Sequence, residues 1–508
     1  GSEVAGRPIK WIADRSESLL SDEQARGGLV DAELALDKDY KFIALRTHTK
    51  VPIGAYFTND RNIRCATGGL GGLAGVYDIQ AIHAKVTGAF ANIMTNAQYR
   101  GGAKPEPVFV IEVMVDVAAR ELGIDPINLR RLNTVGPEVM PFRTCLGDVY
   151  DCGDFPKNFE QCLGVGKFGQ FADRRKEAKS QGKFLGIGSS NSVTGVASTN
   201  FEHVEIRFDP SGGITLLSGA MDHGQGHGTT FKQVLADKLG IDTKSVRYRY
   251  GDTDKVTTGV GTFNARCAVF VGSAVANAAD KVINKGKRIA AHIFETAVDD
   301  IDYEEGQFIV SGTDRTINIK EIAKTAFQKA KLPIDIEPGF YEHGEFGMGQ
   351  GQAPTYPNGC HLAEISIDSE TGKIELVRYT AVDDAGTILN PKLFDGQVHG
   401  GIVQGAGQIL MEDVFYDKEN GQLISGSFMD YCMPRADDFC SFSISANEIP
   451  TLRNPLGVKG VGEAGTVGAM PAIMNAINDA LFHIGAKPIE MPATDEKVWR
   501  AIQSVGTN

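Results

Sequence analysis

Lys459-Gly460-Val461-Gly462-Glu463-Ala464-Gly465-Thr466-Val467-Gly468-Ala469-Met470-Pro471 sets one carboxylate among four glycines. Glycine lets a backbone approach a ligand closely and take positive φ angles. Beyond it, Ile473, Ile477, Ala480, Leu481 and Ile484 recur at helical spacing over 472–484. Pro471 stands near the start of that stretch and Gly485 just past its end, the usual asymmetry of a helix. The spacing therefore predicts Glu463 on a tight loop just before a helix N-terminus, close to a bound group. The same residues match the GxGxxG pattern of dinucleotide sites, which requires a strand directly before the loop and an acidic residue about 20 positions on. Thr451 to Gly457 does not read as a buried strand, and Asp479 comes too early and inside the following helix. A purely structural glycine loop, with Glu463 as a solvated cap, is the plainer alternative.

Bulk composition narrows the class. The chain has 508 residues, enough for two or more domains, with 42% hydrophobic and 23% charged residues, as in soluble globular proteins. A net charge of −13 argues against nucleic acid as the main partner. No apolar run reaches the ~20 residues of a membrane helix, and no signal peptide is visible. A reducing, cytoplasmic setting is expected, because the eight cysteines form no CxxC pair or iron–sulfur run and read as free thiols. Glycine is the outlier at 60 of 508 residues, about 12% against a usual ~7%. Gly6-Arg7-Pro8-Ile9-Lys10-Trp11 reads like the middle of a domain, so a second chain, a cleaved segment or a truncation is expected ahead of Gly1.

Along the chain, residues 1–135 form a first unit with a glycine loop at Gly68 to Gly72 and a helix over 108–122. Ile111, Met114, Val115, Ala118 and Leu122 give that helix one apolar face, and Gly123 stops it. Residues 136–183 read as a linker with a solvated basic helix, holding Arg174, Arg175, Lys176 and Lys179. The second unit, 184–508, repeats one device. Val204, Ile206 and Phe208 alternate, turn, and return at Ile214 and Leu216, ahead of the loop Gly224-Gln225-Gly226-His227-Gly228 and a helix ended by Gly240. Ala363, Ile365 and Ile367 alternate, turn, and return at Ile374 and Leu376, ahead of the loop Gly396-Gln397-Val398-His399-Gly400-Gly401. An internal duplication is the expected origin.

Four loops share one character: Tyr99-Arg100-Gly101-Gly102, the Gln225 loop, Thr262-Phe263-Asn264-Ala265-Arg266-Cys267, and the Gln397 loop. Backbone N–H groups with Gln, Asn and Arg suit a polar, anionic, many-armed ligand such as a phosphate-bearing pterin. A bare metal ion would want clustered His, Cys, Asp or Glu. His223, His227 and His399 lack ligand spacing and read as loop hydrogen-bonders.

On these stretches, with Asp14-Arg15 and Ala97 to Glu106, the chain resembles the molybdenum-binding subunit of the xanthine oxidase family, nearest its carbon monoxide dehydrogenase and bacterial aldehyde oxidase branch. The resemblance covers nearly the whole chain. It implies an α+β fold of two elongated molybdopterin-binding domains, mixed sheets with packed helices. It implies molybdenum held by a pterin dithiolene, in the cytosine dinucleotide form of the bacterial branch, with no direct protein ligand. Glu463 then matches the general base of a hydroxylation that takes its oxygen from water. Arg100 and Gly101, Gly224, Gln225 and Gly226, Asn264, Ala265, Arg266 and Cys267, and Gln397 and Gly462 match cofactor contacts. The implied partners are a small [2Fe–2S] subunit, an FAD subunit, and a chain or segment supplying the N-terminal part that such subunits carry. The implied substrate is an aldehyde or an N-heterocycle. Carbon monoxide dehydrogenase carries a copper-binding cysteine just after the Tyr-Arg pair, whereas Gly101-Gly102-Ala103-Lys104 has none, so CO oxidation is not expected. The competing reading from another class is a catalytically silent scaffold of the same fold. The presence of Glu463 and Gln225 speaks against it.

Overall fold

A computed structural model describes residues 1–196, 201–347 and 354–506. Near the start, β1 (Leu29–Leu36) pairs antiparallel with β2 (Phe42–Gly54), which pairs parallel with β3 (Ala81–Phe90). Helix α1 (Pro105–Leu122) follows and ends at Gly123 in the left-handed region. It begins earlier than its apolar spacing predicts. Pro105 and Pro107 occupy its first turn, where a missing N–H costs nothing. Ile111, Val115, Ala118 and Ala119 pack against Phe42, Leu45 and Tyr77, whereas Leu122 lies exposed.

The buried face of α1 also carries two acids, Glu112 and Asp116. Helix α2 (Pro126–Asn133) brings Arg130 between them, at 2.9 Å from Glu112 Oε2 and 2.6 Å from Asp116 Oδ1. Burial works against the Arg130 charge, but Glu112 and Asp116 outweigh it and push its pKa up. The basic run expected to be solvated forms α3 (Phe171–Ser180) and is only partly so. Arg174 pairs with buried Glu364 at 2.6 Å, and Arg175 pairs with Asp479.

The rest contains two copies of one unit. In chain order it runs β4 (Lys183–Val193), β5 (Phe201–Phe208), β6 (Ile214–Ser218), α4 (His227–Leu239), β7 (Val246–Tyr250), α5 (Cys267–Phe294) and β8 (Tyr341–Gly347). It continues with β9 (Asn358–Asp368), β10 (Ile374–Asp384), α6 (Pro391–Leu410), β11 (Phe442–Ala446) and α7 (Ala464–Phe482). Both hairpins, β5–β6 and β9–β10, are antiparallel. Each is followed by a helix and a strand that joins parallel to the second hairpin strand. The sheet orders correspond: β8-β5-β6-β7 and β4-β9-β10-β11. The outer antiparallel strands are exchanged. β4 precedes the first unit yet pairs with β9 of the second, and β8 precedes the second yet pairs with β5 of the first. Helix α5 covers β5 and β8, and α7 covers β4 and β9. No helix of the described residues is long and apolar enough to cross a membrane.

Two glycine-rich readings are corrected. Residues 396–401 are not a loop but part of α6, and α7 starts at Ala464, leaving Pro471 inside it. The glycines serve helix contact instead. A Cβ on Gly401 would stand 2.9 Å from Gly465 Cα, and one on Gly405 would stand 2.9 Å from Ala469 Cβ. Backbone touches backbone there, and only glycine permits it. Gly401→Val is therefore expected to destabilise the protein by about 1–3 kcal/mol through overpacking, read as a lower denaturant midpoint.

Candidate active site

A cleft of about 1380 Å³ runs between the two units and the turn before α1. Five helices begin at its wall: α1 after Lys104, α4 at His227, α5 at Cys267, α6 after Asn390, and α7 after Glu463. Each helix N-terminus presents unpaired N–H groups and the positive end of a dipole. A chain of net charge −13 thus encloses a cavity whose backbone favours anions.

Glu463 stands directly before α7 and is 8% exposed. Its carboxylate makes no capping bond to the helix. It accepts instead from Lys104 Nζ at 2.7 Å, and Lys104 also donates to Asn264 Oδ1. The solvated-cap alternative fails on this contact. The dinucleotide alternative fails as well, since residues 447–463 form no strand, only an isolated bridge from Val458 to Gly386.

Arg100 spans the cleft floor. Its Nε donates to Gly462 O at 2.6 Å, its Nη1 to Gln404 Oε1 at 3.0 Å, and its Nη2 to Gln397 O and Oε1 at 3.0 and 3.2 Å. Burial lowers its pKa, and the nearby Glu463 charge offsets only part of that. All its acceptors are neutral oxygens, so its charge is not cancelled by a direct partner. Behind it, Arg26 donates to Arg100 O and to Gln408 Oε1, and stacks 4.7 Å over the Tyr99 ring. Gln397, Gln404 and Gln408 thus offer α6 as a ladder of neutral amides to two arginines.

The other predicted residues separate. Gly224, Gln225, Asn264, Ala265, Arg266, Cys267, Gln397, Gly462 and Glu463 line the cleft with Arg100. Gly101 and Gly226 do not. Both have positive φ, at 107° and 85°, and their Cβ positions face Pro105 and Leu393. The Gln225 side chain folds onto its own loop, donating to Met221 O at 3.1 Å. Asn264 and Ala265 take φ of 53° and 48°, a left-handed pair without glycine that turns the chain into α5.

Arg266 departs from its expected role at the ligand. Its side chain is fully buried, ion-paired with Glu202, and lies 4.7 Å from the Phe270 ring. The guanidinium is spent inside the protein, on Glu202 and Gly261 O, and is not offered to a ligand. Cys267 is a buried thiol, pushed up to about 11 by burial, with Sγ 3.6 Å from Thr262 Oγ1.

Two residues escaped sequence reasoning. Lys104 carried no signal beyond its place before Pro105. Asp222 accepts from the N–H groups of Gly224, Gly226 and Gly228 at 2.9, 3.3 and 3.0 Å and so shapes the glycine loop. Burial raises its pKa, but these amides outweigh it and leave the carboxyl below its usual range. An aspartate two residues ahead of the glycine run was the available cue.

A model of the molybdopterin cofactor-binding domain matches residues 165–440, and another of the same description matches residues 1–134. The chain is 32% identical to the carbon monoxide dehydrogenase large chain of Hydrogenophaga pseudoflava, over 99% of this chain and 64% of that one. It is 33% identical to the nicotine 6-hydroxylase large subunit of Paenarthrobacter nicotinovorans, over 98% of this chain and 62% of that one. Its fold superposes on quinoline 2-oxidoreductase from Pseudomonas putida 86 with a TM-score of 0.92 at 32% identity, over 99% of this chain and 65% of that one. The chain therefore spans 62% to 65% of the length of these relatives.

Proposed function

Because the chain belongs to the molybdopterin cofactor-binding molybdenum subunits of the xanthine oxidase family, we propose that it carries the catalytic core of a molybdenum hydroxylase acting on an aldehyde or an N-heterocycle. One observation carries the reading. A buried carboxylate, Glu463, faces a cleft ringed by positive helix ends and floored by an arginine whose partners are all neutral. Such a lining fits an anionic, many-armed cofactor.

Arg100 and Gln397 would hold the cofactor from the floor, the Gln225 loop and the Asn264–Cys267 turn from the walls, and Gly462 would let it approach the backbone. The cytosine dinucleotide form is the one proposed, after the bacterial branch. Bound there, the molybdenum cofactor supplies two-electron redox chemistry. Glu463 accepts the proton of the oxygen that attacks the substrate carbon. In sum, one substrate C–H and one water give C–OH, two protons and two electrons. The electrons pass to a [2Fe–2S] subunit and an FAD subunit in the cytoplasm. A further chain or segment completes the length found in the relatives. The division into units over 1–135 and 184–508 belongs to the same reading, supported by the two family matches.

Copper-dependent CO oxidation is less well supported. The turn Gly101-Gly102-Ala103-Lys104 holds no thiol, and Cys267 is buried at the start of α5. Elemental analysis of the complex from its native source tests the proposal. About one molybdenum per copy of this chain is expected. Its absence from the folded complex would leave a silent scaffold as the better reading.

A further inference from the structure

We propose that Lys104 is a catalytic residue that binds the substrate's acceptor atom and so selects substrates carrying an oxygen or ring nitrogen beside the reacting carbon. The inference rests on the hydroxylase reading above. The Lys104 side chain is 11% exposed and lines the cleft with Nζ 2.7 Å from Glu463 Oε2. An ammonium has three N–H donors and no acceptor. Glu463 and Asn264 take two of them, which leaves one for a ligand.

Arg100, which also lines the cleft, has four of its five N–H donors taken by Gly462, Gln404 and Gln397. Lys104 also stands at the N-cap of α1, so its charge adds to the positive end of a helix. A base and a cation are thereby fixed side by side, on turns far apart in sequence.

That pairing suits the proposed chemistry. Attack on a carbonyl carbon, or on the carbon beside a ring nitrogen, gathers negative charge on the oxygen or nitrogen. A preorganised donor placed there stabilises the charge as it develops. Glu463 takes the proton of the attacking oxygen, and Lys104 gives a hydrogen bond to the neighbouring atom without losing its own proton. A substrate lacking that atom leaves the third donor of Lys104 buried without a partner, which penalises it.

The test uses the molybdenum-loaded complex carrying Lys104→Met or Lys104→Arg. The probes are benzoate, the product form of an aromatic aldehyde, and 2-hydroxyquinoline, that of an N-heterocycle. Calorimetry measures their binding, and molybdenum is counted per chain. Lys104→Met is expected to keep its molybdenum and to weaken the probe that wild type binds by about tenfold to a hundredfold, the worth of a charge-assisted hydrogen bond. Lys104→Arg should recover part of the loss, and the loss in turnover should fall on kcat. Wild-type binding and kcat in Lys104→Met with full molybdenum would overturn the proposal, as would a loaded wild type that binds neither probe. A wild-type complex without molybdenum would instead overturn the hydroxylase reading beneath it.

Discussion

Glu463→Gln is expected to lower turnover by about a hundredfold to ten-thousandfold, the usual worth of a positioned general base, while molybdenum content and fold stay unchanged. The amide has the shape of the carboxylate and still accepts from Lys104 through its oxygen, so the 2.7 Å contact can persist. It no longer takes a proton. Turnover measured beside molybdenum per chain separates the two effects. Near-normal activity with full molybdenum would mean that another group takes the proton. Loss of molybdenum together with activity would mean that the carboxylate holds the cleft together.

Arg130→Met should have the largest effect on stability, about 3–5 kcal/mol. Arg130, Glu112 and Asp116 are almost wholly shielded from water, with side-chain exposures of 0%, 0% and 3%. Removing the guanidinium leaves Glu112 without an ion-pair partner in a low-dielectric interior and leaves Asp116 with Arg120 alone, at 3.0 Å, and this unpaired burial of Glu112, rather than the lost attraction, makes the change costly. Tyr77 also donates to Glu112 at 2.6 Å, and Asn475 of α7 donates to Glu112 O at 3.2 Å. The damage therefore reaches the helix that follows Glu463. Denaturant unfolding measures the loss. Adding Glu112→Gln and Asp116→Asn should restore part of it, because neutral groups are cheaper to bury.

Local pattern explains which parts were legible in the sequence. The hairpins β5–β6 and β9–β10 alternate apolar and polar residues with a clear turn between them, and they formed as read. Gly240 and Gly123 end their helices in the left-handed region, as such glycines do. Glycine misled at 396–401, because the same residue serves a loop and a close helix crossing, and only the partner Gly465 distinguishes them. Pro471 suggested a helix start, yet α7 is buried along nearly its whole length, and packing overrides the local break. Arg100 and Arg266 look alike in the chain. Their fates diverge because Glu202 neutralises one and neutral amides surround the other, pairings set by distant segments. Lys104 was invisible for the same reason, its partner lying 359 positions away.

The exchange of β4 and β8 constrains how the protein comes into being. β4 waits for β9, and β5 waits for β8, so a chain leaving the ribosome completes neither sheet until the residues of β8 and β9 have emerged. Loops that long close slowly. Cut just before β8, neither half keeps all four strands of its own sheet. An ancestor with one unit would have met the same need by pairing with a second copy of itself, each lending the other a strand. Duplication into a single chain would then have freed the two helix starts to diverge, and they have: Arg266 stands before α5 as an internal brace, and Glu463 stands at the same place before α7 facing the cleft.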